Sequence, residues 1–298
     1  MLFNKVSFAL TALLSSSVVL MSGCTTSPSS TASNTQQQTQ NGLLVYGGPI
    51  LTMQGMQPSY VDAMLIQDGK IRYTGTLSEA EKLAPHAKRL NLNHKTVIPG
   101  IIDAHSHLNS VGMQQTVANL YPPPDGKVVS IATLIQEMKA WAKQNPTFVQ
   151  ATSGWIIGNG YDDAQLQEKA HPTATDLDQI STTQPVLILH QSGHLASVNH
   201  KVLELLGINE KSSNPSGGVI RRVVGTNILN GVLEESVVIE AMLQAFKTVP
   251  PEMMQQMALT AVQTYMKNGY TTVQEGRADR GTSELWRSLA NQNKLAID

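Results

Sequence analysis

From residue 97 onward, short apolar runs alternate with amphipathic ones. This alternation restricts the possible folds more than any other feature of the sequence. Strand-like runs stand at residues 97–104, 148–157, 185–190 and 270–274, with a shorter one at 231–233. Helical patterns fill the intervals. Ile131, Leu134, Ile135, Met138 and Trp141 recur at three- and four-residue spacing within 130–144. A second pattern, 199–206, stops at Gly207, a third covers 235–246, and a fourth, 251–268, opens with Pro251 and closes at Gly269. A strand that returns parallel to its predecessor needs a helical crossover. The pattern therefore predicts an α/β chain built on a parallel sheet or barrel.

Residues 42–98 read differently, as a small β module. Runs at 43–46 and 49–53 are strand-like, and runs at 63–67 and 70–73 flank Asp68-Gly69. Both positions of a two-residue hairpin turn need positive φ, which Asp-Gly supplies. Ser78 and Glu81 have the spacing of a capping box and predict a short helix. Further upstream, Lys5 precedes a serine-diluted apolar stretch over 6–20, which ends in Met21-Ser22-Gly23-Cys24. This segment resembles a bacterial lipoprotein signal. It implies a signal peptide over 1–24, a lipid anchor at Cys24 and a body facing the periplasm, with Thr25 favouring the outer membrane. Residues 25–41 are mainly Ser, Thr and Gln and are expected to be a disordered tether, lacking the apolar surface that would offset ordering entropy. The barrel-like part then occupies 99–298.

Composition removes several classes of function. The formal net charge is -1 with no basic stripe, which argues against a nucleic-acid partner. The single cysteine excludes a disulfide framework and any Cys-rich metal cluster. Gly158-x-Gly160 is followed three residues later by Asp163, so the dinucleotide fingerprint is incomplete. No phosphate-binding loop is present, and Ser106 lacks a nucleophile-elbow context.

The chemistry-bearing motif is Val97-Ile98-Pro99-Gly100-Ile101-Ile102-Asp103-Ala104-His105-Ser106-His107. Residues two apart on a strand share a face, so Asp103, His105 and His107 are expected to point together from its C-terminal end. In α/β barrels that end carries the active site. Two imidazoles on one face are a divalent-metal site, with zinc preferred.

With the motifs that follow, the chain resembles the amidohydrolase superfamily, and within it the amidohydrolase-3, or YtcJ-like, group. Gly154-Trp155-Ile156-Ile157-Gly158 with Tyr161-Asp162 is similar to one block of that group. His171-Pro172-Thr173 with Leu177-Asp178 is similar to another. Further similar segments are Pro185-Val186-Leu187-Ile188-Leu189-His190, then Ser192-Gly193-His194 with Asn199, and Gly217-Gly218-Val219-Ile220. Gly231-Val232-Leu233-Glu234-Glu235 and Gly269-Tyr270-Thr271-Thr272-Val273-Gln274 complete the series.

The resemblance implies the N-terminal part of a TIM-like (β/α)8 barrel, incomplete in this chain, preceded by the β module. It implies one or two divalent metal ions, zinc in the first place, and a metal-activated water attacking an amide-like carbonyl. The bond cleaved is a carbon–nitrogen bond other than a peptide bond, in a small molecule. His105, His107 and Glu235 are the implied ligands. Glu235, with Glu234, is equally readable as an acid pair at a helix N-terminus. Trp155, Asp162, His190 and His194 are the implied substrate-binding residues, although each of the two histidines also reads as a hydrogen-bonded strand-end residue, Asp162 as a loop cap and Trp155 as core. His86, His94 and His200 read as surface or helix residues, and His171 as structural. The family's later ligands and its aspartate general base have no counterpart here, so the 298-residue chain alone is expected to bind metal weakly and to be inactive. Two other readings stay open: a non-catalytic envelope lipoprotein on a decayed barrel, and deamination or cyclic-ester hydrolysis on the same metal site. Oligomeric state is not legible.

Overall fold

A computed structural model describes residues 42–298. The expected signal peptide, the tether and Cys24 lie outside the described residues. The chain divides into two compact units between Pro99 and Gly100. Among the described residues no helix is long and apolar enough to cross a membrane.

The first unit is a four-stranded sheet in the order β3-β2-β1-β4, made of β1 (Gly42–Leu51), β2 (Tyr60–Gln67), β3 (Lys70–Gly75) and β4 (Lys88–Asn91), with α1 (Leu77–Leu83) packed on it. β2 and β3 pair antiparallel through Asp68 and Gly69, whose φ values of 52° and 70° provide the expected turn. The runs at 43–46 and 49–53 belong mainly to one strand. β1 bulges between Tyr46 and Ile50 and continues its pairing with β2 beyond the bulge. Helix α1 begins earlier than the Ser78–Glu81 spacing predicts. Thr76 is the N-cap, and the Glu79 carboxylate accepts from the Thr76 hydroxyl at 2.9 Å and from Tyr73 OH at 2.5 Å. The Tyr73 bond, with Thr76, holds Glu79 below the usual carboxylate range.

The second unit begins with β5 (Ile101–Ser106), α2 (Leu108–Gln114), β6 (Ala118–Asn119), α3 (Ile131–Gln144), α4 (Pro146–Ala151) and β7 (Ile156–Tyr161). It continues with α5 (Ala174–Asp178), β8 (Val186–His190), β9 (Leu195–Val198), α6 (His200–Leu205), β10 (Gly218–Arg222) and β11 (Leu229–Glu235). Helices α7 (Ser236–Phe246) and α8 (Pro251–Lys267), strand β12 (Tyr270–Glu275) and helix α9 (Arg280–Asn291) complete it. Ser130 caps α3, Asn199 caps α6, and Pro251 opens α8.

Two expectations are corrected. The run at 148–157 is not one strand, because Pro146 starts helix α4 and extended structure resumes only at Ile156. The main sheet, ordered β10-β11-β9-β8-β7-β6, is mixed rather than parallel. Its β6, β7 and β8 run parallel, but β8, β9, β11 and β10 pair antiparallel. The reversal comes at Gly193, whose φ of 73° lets the chain turn within four residues, too few for a crossover. Beside β12, Asp298 exchanges backbone hydrogen bonds with Thr271 and Val273. β5 and β12 form a separate parallel pair, and no sheet closes into a ring among the described residues.

The main sheet is buried on both faces. Leu187 and Leu189 of β8 enter one apolar cluster with Ile157, Val198 and Leu233. Val186 and Ile188 enter the opposite cluster with Ile156, Leu120 and Met138. Gly231 sits at φ 88°, and an added Cβ would lie 2.6 Å from the Val198 carbonyl oxygen, so only glycine fits that crossing.

Candidate functional site

The β5–β12 pair sets the first group of polar side chains. Its parallel register places Val273 beside Asp103 and Glu275 beside Ser106. His105 lies on β5, whereas His107 has already left the strand and is the N-cap residue of α2. The expectation that Asp103, His105 and His107 share one strand face therefore holds only in part. Asp103 folds back, its carboxylate accepting the His105 backbone N–H at 3.1 Å. The two imidazoles do meet, with centroids 5.4 Å apart and planes at 88°. Both are exposed, the His107 side chain by 51%, rather than enclosed in a cavity. Ser106 between them points inward to hydrogen-bond Tyr265 OH, and burial pushes the Tyr265 phenol up.

Glu275 completes this group, and sequence reasoning missed it. Its side chain is only 12% exposed, and Oε1 lies 3.7 Å from His107 Nδ1. Two backbone N–H groups hold the carboxylate: Asn109 at 3.1 Å and Arg277 at 2.9 Å. The next residue, Gly276, leaves room for the other imidazole, since a Cβ there would lie 3.0 Å from His105 Nε2. The one local signal was an acid at the end of a strand that pairs with the histidine strand.

A second polar group lies at the ends of β7 and β8. His190 Nε2 is 3.2 Å from Asp163 Oδ1 and 3.8 Å from Asp162 Oδ1, and one ligand atom from each of the three residues lies within 4.8 Å of the others. Asp162 is anchored by the Gln165 amide at 2.8 Å, the Gln191 amide at 2.6 Å and the Ala164 N–H at 2.9 Å. The Gln165 bond leads in holding its carboxyl below the usual range. The Ser192 N–H donates to His190 Nδ1 at 3.1 Å, while the buried Nε2, on the Asp163 side, makes no hydrogen bond. His171 lies 3.6 Å from Asp163 and 3.2 Å from Tyr161 OH, and burial pushes its imidazole down. Burial likewise pushes the Tyr161 phenol up. The Tyr161 and His190 rings pack edge to face, with centroids 5.2 Å apart.

The remaining expected residues fall elsewhere. Glu235 does not join His105 and His107. It closes β11 in the main sheet, and its carboxylate lies 3.1 Å from His194 Nδ1. Its backbone, at φ 54° and ψ -117°, is in a region that costs a non-glycine residue about 1–3 kcal/mol. Glu234 instead accepts from Arg221 Nε at 2.5 Å. Trp155, expected at the substrate, is 4% exposed and belongs to the core cluster of Phe148, Ile157 and Leu187. The apolar run that follows it draws its ring inward. His200 pairs with Asp178 at 2.6 Å on the surface.

Comparison with known proteins sets this geometry in context. N-substituted formamide deformylase of Arthrobacter pascens is 28% identical over 165 residues, which cover 55% of this chain and 29% of that protein. Protein LONG AFTER FAR-RED 3 of Arabidopsis thaliana is 31% identical over 182 residues, 61% of this chain and 29% of that protein. The chain thus spans about three-tenths of the length of these curated relatives. An uncharacterized metal-dependent hydrolase from Pyrococcus furiosus superposes with a TM-score of 0.61 at 20% identity, covering 86% of this chain and 49% of that one, a likeness of fold. The family model described as the amidohydrolase family matches residues 89–298, from the last strand of the first unit through all of the second, and the chain belongs to that family.

Proposed function

We propose that this chain carries the histidine pair of a metal-dependent hydrolase acting on amide-like carbon–nitrogen bonds, other than peptide bonds, in small molecules. The observation that carries the reading is the meeting of the His105 and His107 rings beside the anchored carboxylate of Glu275. Two imidazoles are ligands suited to a divalent metal, zinc among them. Gly276 leaves space at His105 Nε2. When bound, such an ion acts as a Lewis acid that polarises an amide carbonyl and acidifies a water.

The chain's own residues do the positioning. His105 and His107 hold the ion. Glu275, next to His107 Nδ1, favours the tautomer protonated there, which frees Nε2 for coordination. His194 with Glu235, and His190 with Asp162 and Asp163, supply polar groups that orient a substrate. Support for the substrate class comes from family membership and from the relative named as an N-substituted formamide deformylase. A lipid anchor at Cys24, placing the body in the periplasm of a bacterial envelope, is proposed from the sequence alone.

The test is metal content, read separately from turnover because the relatives are much longer than the chain. The purified chain, titrated with zinc against a competing chelator, is expected to bind about one equivalent weakly. His105→Ala and His107→Ala are each expected to lose it. A wild-type chain that binds no metal, or a double variant that binds as much as wild type, overturns the proposal.

A further inference from the structure

The polar group at the ends of β7 and β8 has the spacing of a chelate. His190 Nε2 lies 3.2 Å from Asp163 Oδ1 and 3.8 Å from Asp162 Oδ1, and one donor atom from each residue lies within 4.8 Å of the others. Donors about 2.1 Å from a common ion stand about 3.0 Å apart at adjacent octahedral corners and about 3.4 Å apart at tetrahedral ones. A small adjustment of side-chain torsions brings the observed separations to those values.

The hydrogen bonding of the group is incomplete at the atoms that face one another. His190 Nε2 is buried and makes no hydrogen bond among the described residues, although both carboxylates stand before it. A buried polar atom left without a partner is costly and calls for an explanation. Asp162 keeps one acceptor position open. A carboxylate offers about four lone-pair positions. On Asp162, Oδ2 accepts from the Gln165 and Gln191 amides and Oδ1 from the Ala164 N–H, so the open position is on Oδ1, the atom nearest His190 Nε2. Both carboxylates form ion pairs with histidines alone among the described residues. The Asp162 and His190 side chains are nearly enclosed, whereas Asp163, 31% exposed, opens the group to solvent.

We propose that Asp162, Asp163 and His190 form a second divalent-cation site, separate from the His105–His107 pair. Two carboxylates and one imidazole are harder donors than two imidazoles, so the ion expected is Mn²⁺ rather than zinc. Three side-chain donors leave the other corners of an octahedron to water or to the oxygens of a ligand. Coordination through Nε2 needs the imidazole proton on Nδ1. There the Ser192 hydroxyl stands 2.9 Å away as its acceptor, and the Ser192 N–H bond is given up. The inference goes beyond the reading under Proposed function and does not depend on it.

The test follows Mn²⁺ binding to the full chain by loss of the free-ion electron paramagnetic resonance signal. His105→Ala with His107→Ala removes the other centre, and this double variant is expected to bind about one equivalent of Mn²⁺. Adding Asp163→Asn or His190→Gln is expected to weaken that binding at least about tenfold, a loss that removal of even an outer partner produces. Circular dichroism checks the fold of each variant, and if one unfolds the other carries the test. As single substitutions, both are expected to leave zinc binding as in wild type. Absence of Mn²⁺ binding in the double variant, or undiminished binding on adding well-folded Asp163→Asn or His190→Gln, overturns the inference. So does joint loss of zinc and Mn²⁺ from either well-folded single variant. Zinc binding absent from wild type with Mn²⁺ binding intact sinks the histidine-pair reading alone.

Discussion

The carboxylate of Glu275 accepts the backbone N–H of Asn109 at 3.1 Å across 166 positions of sequence. The same carboxylate faces His107, so one side chain ties the loop after β12 to the start of α2 and orients an imidazole.

Removing that side chain therefore has two separable effects. Glu275→Ala is expected to cost about 2–4 kcal/mol in urea unfolding, since two charge-assisted hydrogen bonds are lost from a nearly buried site. Glu275→Gln keeps an acceptor and is expected to cost less. It loses the charge beside His107, however, and is expected to weaken zinc about 10- to 100-fold in a competitive chelator titration. Equal zinc affinity in wild type and Glu275→Gln would show that the carboxylate does not serve the histidine pair.

His171 sets a pH dependence. Burial lowers its folded-state pKa below the ordinary value of 6.5, so between those two values the unfolded chain binds more protons than the folded one. Stability is then complete above pH 6.5, falls as the solution is acidified through that value and levels off below the folded pKa. In His171→Asn this part of the slope is expected to vanish from urea midpoints measured between pH 5 and pH 7.5, a window set by the ordinary histidine range. A variant that keeps the whole slope would place its origin in other groups.

Gly231→Ala tests the crossing of β11 over the β9 end. The positive φ and the 2.6 Å approach to the Val198 carbonyl leave no room for a methyl group. The substitution is expected to cost more than about 2 kcal/mol, read from the shift in thermal midpoint. Gly69→Ala, in an open turn with nothing within 4 Å of an added Cβ, is expected to cost less.

The anchor proposed at Cys24 has its own check. In a bacterial host fed labelled palmitate, the full chain is expected to take up label and fractionate with membranes, and Cys24→Ser to lose both properties. Unchanged labelling in Cys24→Ser would remove the anchor.

Local signals carried much of the fold. Asp68-Gly69 turned as expected, Ser130 and Asn199 capped their helices, and Pro251 opened α8, because each rests on chemistry within a few residues. The antiparallel half of the main sheet was not legible, since Val186 to His190 is apolar on both faces and such a run does not specify the direction of its neighbour. At the site, the rings of His105 and His107 do meet, but not on one strand face, because His107 already opens α2. Glu275 could be seen only as an acid at a strand end, because its role depends on strand pairing across 166 positions. Glu235 was assigned to the wrong neighbours for the same reason: its partner, His194, is fixed by the β9–β11 ladder.

The pairing of β5 with β12 also sets a timetable. Both imidazoles leave the ribosome long before the acid that steadies one of them, and β5 has its only sheet neighbour among the described residues in β12. On the proposed reading, capture of an ion at full strength would therefore wait until synthesis has passed position 275. Until then, neither the strand register nor the carboxylate that meets His107 exists to fix the two rings.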